Sequence, residues 1–473
     1  MSKTQPARGM RDFLPADLRR REYVIRIIKE TYERYGFEPL ETPAVENIET
    51  LLGKYGEEGN QLIFKILKRG EHEKTGEADL ALRYDLTVPL ARVVAEHGER
   101  LPKFFKRYQI QPVWRADRPA RGRYREFYQC DVDCTGSRSP VVEAELCAAA
   151  SDALTALGFN NFTIRLNHRQ VLAGVLEKAG VEVEKHGEAL VALDKLDKVG
   201  REGVAQELKV RGVSHNAAER LLSFFDDRSV TRGAHISART TGEITQEDIN
   251  DDVLRRLMTF VSNHEAGASG VDNLRRIVEY AAIYGVADKI KIEPSLARGL
   301  SYYTGAIIEI SAGKDIGSIC GGGRYDNLIG MFSGRDIPAC GLSLGLERII
   351  LIMTEREMFP VHLLKTPADV MVTIWDESSI KDSLSLAKLL RDANLRVDVY
   401  SSPGDKLNKQ LKYASAHDIP IVVMQGPDER AHGLIKYKVM SVRHEATAIS
   451  TALAEELKKW IATERITLEH TDE

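Results

Sequence analysis

The sequence predicts an α+β domain with a mixed, largely antiparallel sheet, interrupted by a helical insertion and followed by an α/β domain. Three observations support this fold class. Strand and helix patterns do not alternate regularly up to residue 168, helical patterns dominate from about 170 to 285, and regular strand–helix alternation begins near Pro367. We therefore expect a discontinuous first domain (1–168 and 286–365), an insertion domain (169–285) and a C-terminal domain (367–473).

Hydrophobic periodicity places the individual elements of these domains. In the first domain, helices are predicted at 17–35, 87–97, 140–157 and 346–356, and strands at 37–42, 62–67, 80–83, 105–116, 125–135, 161–166 and 340–343, with further strands near Ile290, Ala306 and Ile316. The insertion contains helical patterns such as 214–225 and 271–284. The C-terminal domain has predicted strands at 370–374, 396–400 and 419–424, and helices that begin at Ser378, Lys406 and Ala448.

Bulk composition excludes several classes of protein. The chain has 473 residues, 43% hydrophobic and 29% charged, as is typical of ordinary globular proteins. No apolar run approaches the roughly 18 residues of a membrane helix, and residues 1–11 lack the apolar core of a secretion signal. Five scattered cysteines form no CxxC pair and no disulfide framework, so we expect a reducing cytoplasm.

The segment from Trp114 to Phe127 is unusually rich in arginine. Five arginines lie between Arg115 and Arg125, in a loop that joins two predicted strands. Planar guanidinium groups at several angles suit a polyphosphate, and Phe127 can stack on a purine. Aromatic residues alternate with the basic ones, a mixture that also suits contact with nucleic acid. The simpler interpretation is an arginine-rich surface hairpin.

Three further segments combine glycines with an arginine. Arg298–Gly305 places a cation, two phenols and two glycines before an apolar run, which suits a small zwitterion bound beside a phosphate. A turn with a salt-bridged arginine is the alternative. Gly341–Arg348 predicts a strand that passes through Gly345 into a helix with Arg348 in its first turn, where helix-end packing is the alternative. Gly321–Asp326 predicts a tight glycine turn that enters a helix.

Polar residues that include aspartates recur at a spacing of two in two segments. Asp85 and Thr87 share one face of an extended segment and can grip an ammonium group. Gln129, Asp131 and Asp133 likewise line one face of a strand, where a buried carboxylate requires a cationic partner or a polar ligand. A solvent-facing strand is the alternative for both sets.

Familiar catalytic and phosphate-binding patterns are missing from the sequence. There is no P-loop, no strand-coupled GxGxxG, no HExxH and no GxSxG. The usual nucleotide-binding and hydrolase folds are therefore disfavoured, and no metal site built from a protein cluster is expected.

Together, these segments resemble the histidyl-tRNA synthetases, which are class II aminoacyl-tRNA synthetases, from Arg8–Pro15 to the C-terminal domain. The helix and strand that end at Pro43 look like class motif 1, which builds the dimer interface. Residues 105–133 look like motif 2, Gly341–Arg348 like motif 3, and Arg298–Gly305 and Gly321–Tyr325 like two motifs peculiar to the histidine enzymes. The resemblance implies a class II synthetase-like fold in a cytoplasmic homodimer. Such an enzyme activates L-histidine with ATP and Mg²⁺ and transfers it to tRNA(His).

The resemblance also implies roles for individual residues. The catalytic residues would be Arg115 and Arg298, with Arg298 replacing at the α-phosphate the metal ion of many related synthetases. ATP would contact Arg115, Asp117, Arg123, Phe127 and Arg348. Histidine would contact Asp85, Thr87, Gln129, Asp133, Arg298, Tyr302 and Tyr303, with Asp133 and Tyr303 reading the imidazole. The tRNA would contact Arg118, Arg121, Lys436 and Lys438.

Two features leave alternatives open. Leu82–Thr87 and Phe127–Asp131 resemble the eukaryotic-type members of the family, whereas Ser301 stands where the family usually has Asp. Paralogues that regulate ATP phosphoribosyltransferase provide the competing interpretation, because they bind histidine without charging tRNA. They typically lack the anticodon domain and parts of the arginine motifs, which this chain retains. In the C-terminal domain, solvated lysines are the alternative to phosphate contacts.

Overall fold

The computed structural model describes residues 4–70, 75–226, 245–297, 302–313, 317–360, 363 and 367–469. The chain divides into two compact units. The first comprises Met1–Asp12 and Arg21–Arg356, and the second comprises Phe13–Arg20 and Glu357–Glu473. None of the helices in the described ranges combines the length and apolar character that crossing a bilayer requires.

The first unit is built on a large mixed sheet. The strands of this unit are β1 (Glu38–Pro39), β2 (Val45–Asn47), β3 (Lys65–Leu67), β4 (Ala78–Leu82), β5 (Phe105–Trp114), β6 (Glu126–Thr135), β7 (Thr163–His168), β8 (Ile290–Ile292), β9 (Ala306–Ser311), β10 (Ser318–Arg324) and β11 (Ala339–Gly345). Three of them pair in a separate antiparallel sheet in the order β2-β4-β3. Eight strands pair in the order β1-β5-β6-β11-β10-β9-β7-β8. The outer pairs β1–β5 and β7–β8 are parallel, and the pairs between them are antiparallel. The predicted mixed, largely antiparallel sheet is thus confirmed.

Helices cover this sheet and fill the insertion. They are α1 (Pro15–Arg34), α2 (Ile48–Leu51), α3 (Gly56–Gln61), α4 (Thr87–His97), α5 (Val141–Ala156), α6 (Arg169–Ala179), α7 (His186–Leu193), α8 (Leu196–Val210), α9 (His215–Asp226), α10 (Gln246–Val261), α11 (Glu265–Ile283), α12 (Gly330–Ser333) and α13 (Leu346–Glu355). Alanine-rich α5 packs against β11 and α11, because small side chains allow close approach. The insertion predicted at 169–285 contains α6 to α11.

The glycine turn predicted at Gly321–Asp326 is wrong, because the glycines lie inside β10. A Cβ at Gly322 would lie 2.3 Å from the carbonyl oxygen of Gly341, and one at Gly323 would lie 2.5 Å from that of Ala306. The glycines therefore allow β10 to lie close to both neighbouring strands. A glycine inside a strand often marks such a close approach of backbones, although glycine favours strands poorly.

The second unit contains a five-stranded mixed sheet. Its strands are β12 (Val370–Val372), β13 (Val397–Val399), β14 (Ile421–Met424), β15 (Leu434–Val439) and β16 (His444–Ile449), in the order β13-β12-β14-β15-β16. Its helices are α14 (Ile380–Asp392), α15 (Leu407–Ala416), α16 (Pro427–His432) and α17 (Ser450–Glu469). The helix predicted from Ala448 begins later, because Ala448 belongs to β16. The regular α/β alternation therefore ends in an antiparallel hairpin, β15–β16.

Candidate functional site

A cavity of about 660 Å³ opens in the first unit beside β6, β10 and β11. Its lining includes seven residues that were predicted for the site from the sequence: three arginines, one carboxylate, one phenyl ring, one amide and one phenol. These residues are Arg115, Asp117, Arg123, Phe127, Gln129, Tyr303 and Arg348. The structure thus brings the predicted ATP residues together with two of the predicted histidine residues. Arg298 and Ser301 lie outside the described residues.

Arg115 is held in place at the end of β5. Its Nε donates to the carbonyl oxygen of Tyr84 at 3.0 Å. Its guanidinium lies 4.3 Å from the centre of the Tyr84 ring and 5.1 Å from that of Phe127. Because two aromatic faces and a carbonyl fix the cation, little conformational freedom is lost when an anion binds to it.

The loop between β5 and β6 is ordered by its own ion pair. Asp117 is buried, and its two carboxylate oxygens accept from Arg123 at 2.8 and 3.2 Å. Arg125 donates to the carbonyl oxygen of Asp117 at 3.0 Å. Asp117 therefore lies in the cavity wall as the partner that orients Arg123. In the same loop Arg118 is exposed, and Arg121 forms an ion pair with Glu355.

The first turn of α13 supplies the third arginine of the cavity. Arg348 donates to the carbonyl oxygen of Ser318 on β10, which also lines the cavity, and this hydrogen bond fixes its side chain. The neighbouring Glu347 accepts from Arg21 at 2.8 Å and also pairs with Arg11. The guanidinium of Arg11 lies 3.3 Å from the centre of the Tyr124 ring. No sequence pattern connects this N-terminal arginine with the cavity.

Asp85 lies at the start of α4, where its carboxylate is almost fully enclosed. One oxygen accepts from the Tyr55 hydroxyl and the Val88 backbone N–H, both at 3.0 Å. The other accepts from the Tyr302 hydroxyl at 3.1 Å. Burial raises the pKa of Asp85, while these hydrogen bonds and Arg115 act in the opposite direction. Thr87 begins α4 and is half-buried.

A second acidic group lies on the predicted face of β6. Asp131 and Asp133 are each 2% exposed, and Arg107, at 0%, faces both from β5. The Arg107 Nη2 lies 2.9 Å from Asp133 Oδ2 and 3.8 Å from Asp131 Oδ2. The predicted need for a cationic partner is thus met, although Arg107 was not identified from the sequence.

Burial controls the titration of this acidic pair. It raises the pKa of Asp131 to about 7, with Arg107 lowering that pKa and Asp133 raising it. It raises the pKa of Asp133 too, against Arg107 and the hydroxyl of Tyr325, which donates to Asp133 Oδ1. Both buried carboxyl groups therefore hold a proton more readily than an exposed aspartate does, although Arg107 opposes this.

The predicted tRNA-binding lysines of the second unit lie on β15. Lys436 and Lys438 each place their Nζ 2.8 Å from the Glu445 carboxylate on β16. The two ammonium groups hold the pKa of Glu445 down at about 2. Both lysines thus point to one side of the hairpin, with part of their charge balanced within the chain.

An arginine-lined cavity and buried carboxylates on a largely antiparallel sheet are the features of a class II-type aminoacyl-tRNA synthetase. Residues 9–349 match the family model "Histidyl-tRNA synthetase", and residues 369–462 match "Anticodon binding domain". The chain is 40% identical over 462 residues to a histidine–tRNA ligase of Gloeobacter violaceus, covering 92% of this chain and 94% of that protein. The chain therefore belongs to the histidyl-tRNA synthetase family, and its activity is the charging of tRNA with histidine.

Solved structures agree with this assignment. A histidyl-tRNA synthetase from Nostoc sp. PCC 7120 superposes with a TM-score of 0.75 at 30% identity, covering 97% of this chain and 99% of that one. An ATP phosphoribosyltransferase regulatory subunit/histidyl-tRNA synthetase from Bacillus halodurans shares the fold, with a TM-score of 0.67 at 20% identity over 87% of this chain and 97% of that one. The curated relative and the anticodon-binding domain favour charging over the regulatory interpretation. The relative is bacterial and does not support the eukaryotic-type resemblance.

Proposed function

We propose that the cavity binds ATP at its arginine-rich end and L-histidine at its acidic end. Arg115, Arg123 and Arg348 hold the phosphates, and Phe127 stacks on adenine. The observation that carries this proposal is the shared wall, since these residues line one cavity with Gln129 and Tyr303. Asp117 contributes by orienting Arg123 through its bidentate ion pair.

The acidic end selects a small cation-bearing amino acid. Gln129, Asp85 and Thr87 surround the α-ammonium group, while Asp133 and Tyr303 face the imidazole ring. Tyr302 contributes through Asp85, because its hydroxyl fixes one oxygen of that carboxylate. Buried polar groups of this kind reject amino acids that leave them unpaired, which can give large discrimination.

The reaction needs positioned cations and no protein nucleophile. The histidine carboxylate attacks the α-phosphorus of ATP, pyrophosphate leaves, and a hydroxyl at the 3′ end of tRNA then displaces AMP from the histidyl-adenylate. Both reactants of the first step are anionic, so fixed guanidinium groups supply the stabilisation. Arg115 and Arg298 are the two residues that we propose for this role.

The described residues do not form a metal cage. No group of three His, Cys, Asp or Glu side chains converges within the described ranges. Three of the cavity carboxylates, Asp117, Glu309 and Glu347, pair with arginines. Mg²⁺ commonly binds through substrate phosphates, and we expect it to reach this site together with ATP.

The remaining proposals concern the partners and the setting of the enzyme. Arg118 and Arg121 meet the acceptor end of tRNA(His), and Lys436 and Lys438 add phosphate contacts in the 367–473 domain. The insertion, 169–285, lies next to the catalytic domain formed by 1–168 and 286–365. Two copies associate through the surface around Val45 and Leu80, which are exposed beside an open cavity of about 610 Å³. Five buried free thiols suit the cytoplasm.

Two matched substitutions test whether ATP and histidine bind at separate ends of the cavity. Arg348→Gln is expected to raise the Michaelis constant for ATP and leave that for histidine near its original value. Asp85→Asn is expected to raise the Michaelis constant for histidine and leave that for ATP near its original value. Both constants are measured by histidine-dependent exchange of pyrophosphate into ATP. Equal effects of either substitution on both substrates would contradict the proposed division.

A further inference from the structure

A short N-terminal segment, residues 7–11, packs against the arginine-rich loop between β5 and β6. Within this segment, Gly9 has a φ of +84°, a backbone conformation that favours glycine. Its carbonyl oxygen accepts from the Arg125 backbone N–H at 2.8 Å. A Cβ at Gly9 would lie 2.8 Å from Cγ of Arg125 and 2.9 Å from Cγ of Pro119. The glycine therefore allows the segment to lie directly on the loop.

Arg11 ends this segment and contacts two parts of the cavity wall. Its guanidinium lies 3.3 Å from the centre of the Tyr124 ring on the loop, and it forms an ion pair with Glu347 in the first turn of α13. Tyr124 and Glu347 both line the cavity. They are also the sequence neighbours of Arg123 and Arg348, two of the arginines proposed to hold the phosphates of ATP. Arg11 thus joins the two segments that carry these arginines.

The charge of Glu347 gives Arg11 a second effect. This carboxylate is 7% exposed and lines the cavity proposed for ATP, where a negative charge without a counter-charge would repel the phosphates. Arg21 donates to one of its oxygens at 2.8 Å from a buried position, whereas the Arg11 side chain is 30% exposed. Two guanidinium groups therefore balance one carboxylate in the cavity wall. Removal of Arg11 should leave the buried pair intact, and with it the fold, while this part of the wall loses one positive charge.

We propose that Arg11 is a positioning residue for the phosphate end of the cavity. It fixes the loop that carries Arg123 to the helix turn that carries Arg348, and it balances the charge of Glu347 without touching ATP. The inference rests on the proposed binding of ATP at the arginine-rich end, and it adds a segment that lies behind the wall of the cavity. Gly9 serves the same arrangement, because it sets the path of the chain that leads to Arg11.

Substitutions of Arg11 in the full-length chain test this role. Michaelis constants for ATP and histidine are measured by histidine-dependent exchange of pyrophosphate into ATP. Arg11→Gln should raise the ATP constant about 10-fold, the effect of losing one charge-assisted hydrogen bond, and leave the histidine constant within about 2-fold. Arg11→Lys should recover part of the loss, because an ammonium group balances Glu347 but lacks the planar fork and the aromatic stacking of a guanidinium. A residue that only stabilised the fold would not separate the two substrates in this way.

Arg26→Gln is the matched control for Arg11→Gln. Arg26 also pairs with a carboxylate, that of Glu30 at 3.2 Å, and lies 5.5 Å from the centre of the Tyr23 ring, but all three residues belong to α1. This variant should leave both Michaelis constants unchanged. Both variants should nearly keep the melting temperature of the unmodified protein, since partly exposed ion pairs contribute little to stability.

A second variant makes the test independent of the Arg11 side chain. Gly9→Ala should raise the ATP constant in the same selective way, because the added Cβ displaces the segment from the loop, and it decides the question if Arg11→Gln does not fold. If the unmodified protein shows no histidine-dependent exchange, the proposed function itself fails. If exchange occurs, the role of Arg11 is refuted when Arg11→Gln leaves the ATP constant unchanged or raises both constants equally. An equal rise for Arg26→Gln would refute it too.

Discussion

Replacing Arg107 by methionine tests whether this guanidinium stabilises the buried carboxylates Asp131 and Asp133 on β6. The side chain is 0% exposed and is the described cation closest to both Asp131 and Asp133, at 3.8 and 2.9 Å. Its removal leaves two buried carboxyl groups without that partner. Breaking a buried ion pair from one side typically costs about 3–5 kcal/mol, and we expect a loss of that size in the free energy of unfolding at pH 8.

The loss should depend on pH in a defined direction. Arg107 lowers the pKa of both carboxyl groups, so its removal raises them beyond their already elevated values. The folded variant then holds protons that the unfolded chain releases above about pH 4. The unmodified protein loses stability in the same way up to about pH 7, the raised pKa of its Asp131, so the extra loss caused by the substitution develops above about that pH. The loss in free energy of unfolding, relative to the unmodified protein, should be clearly smaller at pH 5.5 than at pH 8.

Urea denaturation at the two pH values measures this difference. Arg256→Met serves as the control, because Arg256 pairs with Asp252 at 2.9 Å but is 24% exposed. A partly exposed pair contributes about 1 kcal/mol or less, so this variant should lose little at either pH. The double variant Arg107→Met/Asp133→Asn should recover part of the deficit. An equal loss for Arg107→Met at both pH values would refute the reasoning.

Three other substitutions follow from individual contacts. Gly341→Ala would place a Cβ 1.9 Å from Asp133 Oδ1. We therefore expect calorimetry to show a destabilisation of about 1–3 kcal/mol. An unchanged melting temperature would contradict this close packing. Asp117→Asn should raise the ATP Michaelis constant several-fold because Arg123 loses its partner, with the histidine constant as the internal control. Glu445→Gln should tighten tRNA binding and steepen its salt dependence, since it frees two lysines, and unchanged binding would speak against the tRNA role of Lys436 and Lys438.

Local sequence patterns predicted those elements whose burial is one-sided or complete. Helix α4 is found at Thr87–His97 as predicted, because its apolar residues recur at helical spacing. Strands β5 and β6 are found within two residues of their predicted bounds. A strand was predicted near Ile316, but the extension of β10 through Gly321–Gly323 was missed, because those glycines are required by the close approach of β9 and β11, which no local pattern reveals. Strand β16 was missed because most of its residues are exposed.

The residues of the candidate site were also predicted only in part from the sequence. The arginines of the 115–125 loop are dense in sequence, so their clustering predicted a phosphate site, and the structure places Arg115 and Arg123 in one cavity with Arg348. Arg107 lies within a predicted strand, and its pairing with Asp133 depends on the β5–β6 register. Tyr325 reaches Asp133 across 192 residues of chain. Contacts of this kind exist only once the sheet has formed.

The central claim is that one cavity activates histidine with ATP and delivers it to tRNA. The most direct measurement has two steps. The rate of pyrophosphate exchange into ATP is first measured for the full-length chain with each amino acid in turn. The transfer of labelled histidine to tRNA(His) is then measured. We predict exchange that depends on histidine, followed by labelled tRNA. Exchange supported equally by other amino acids, or tRNA that stays unlabelled while histidine binds, would contradict the account.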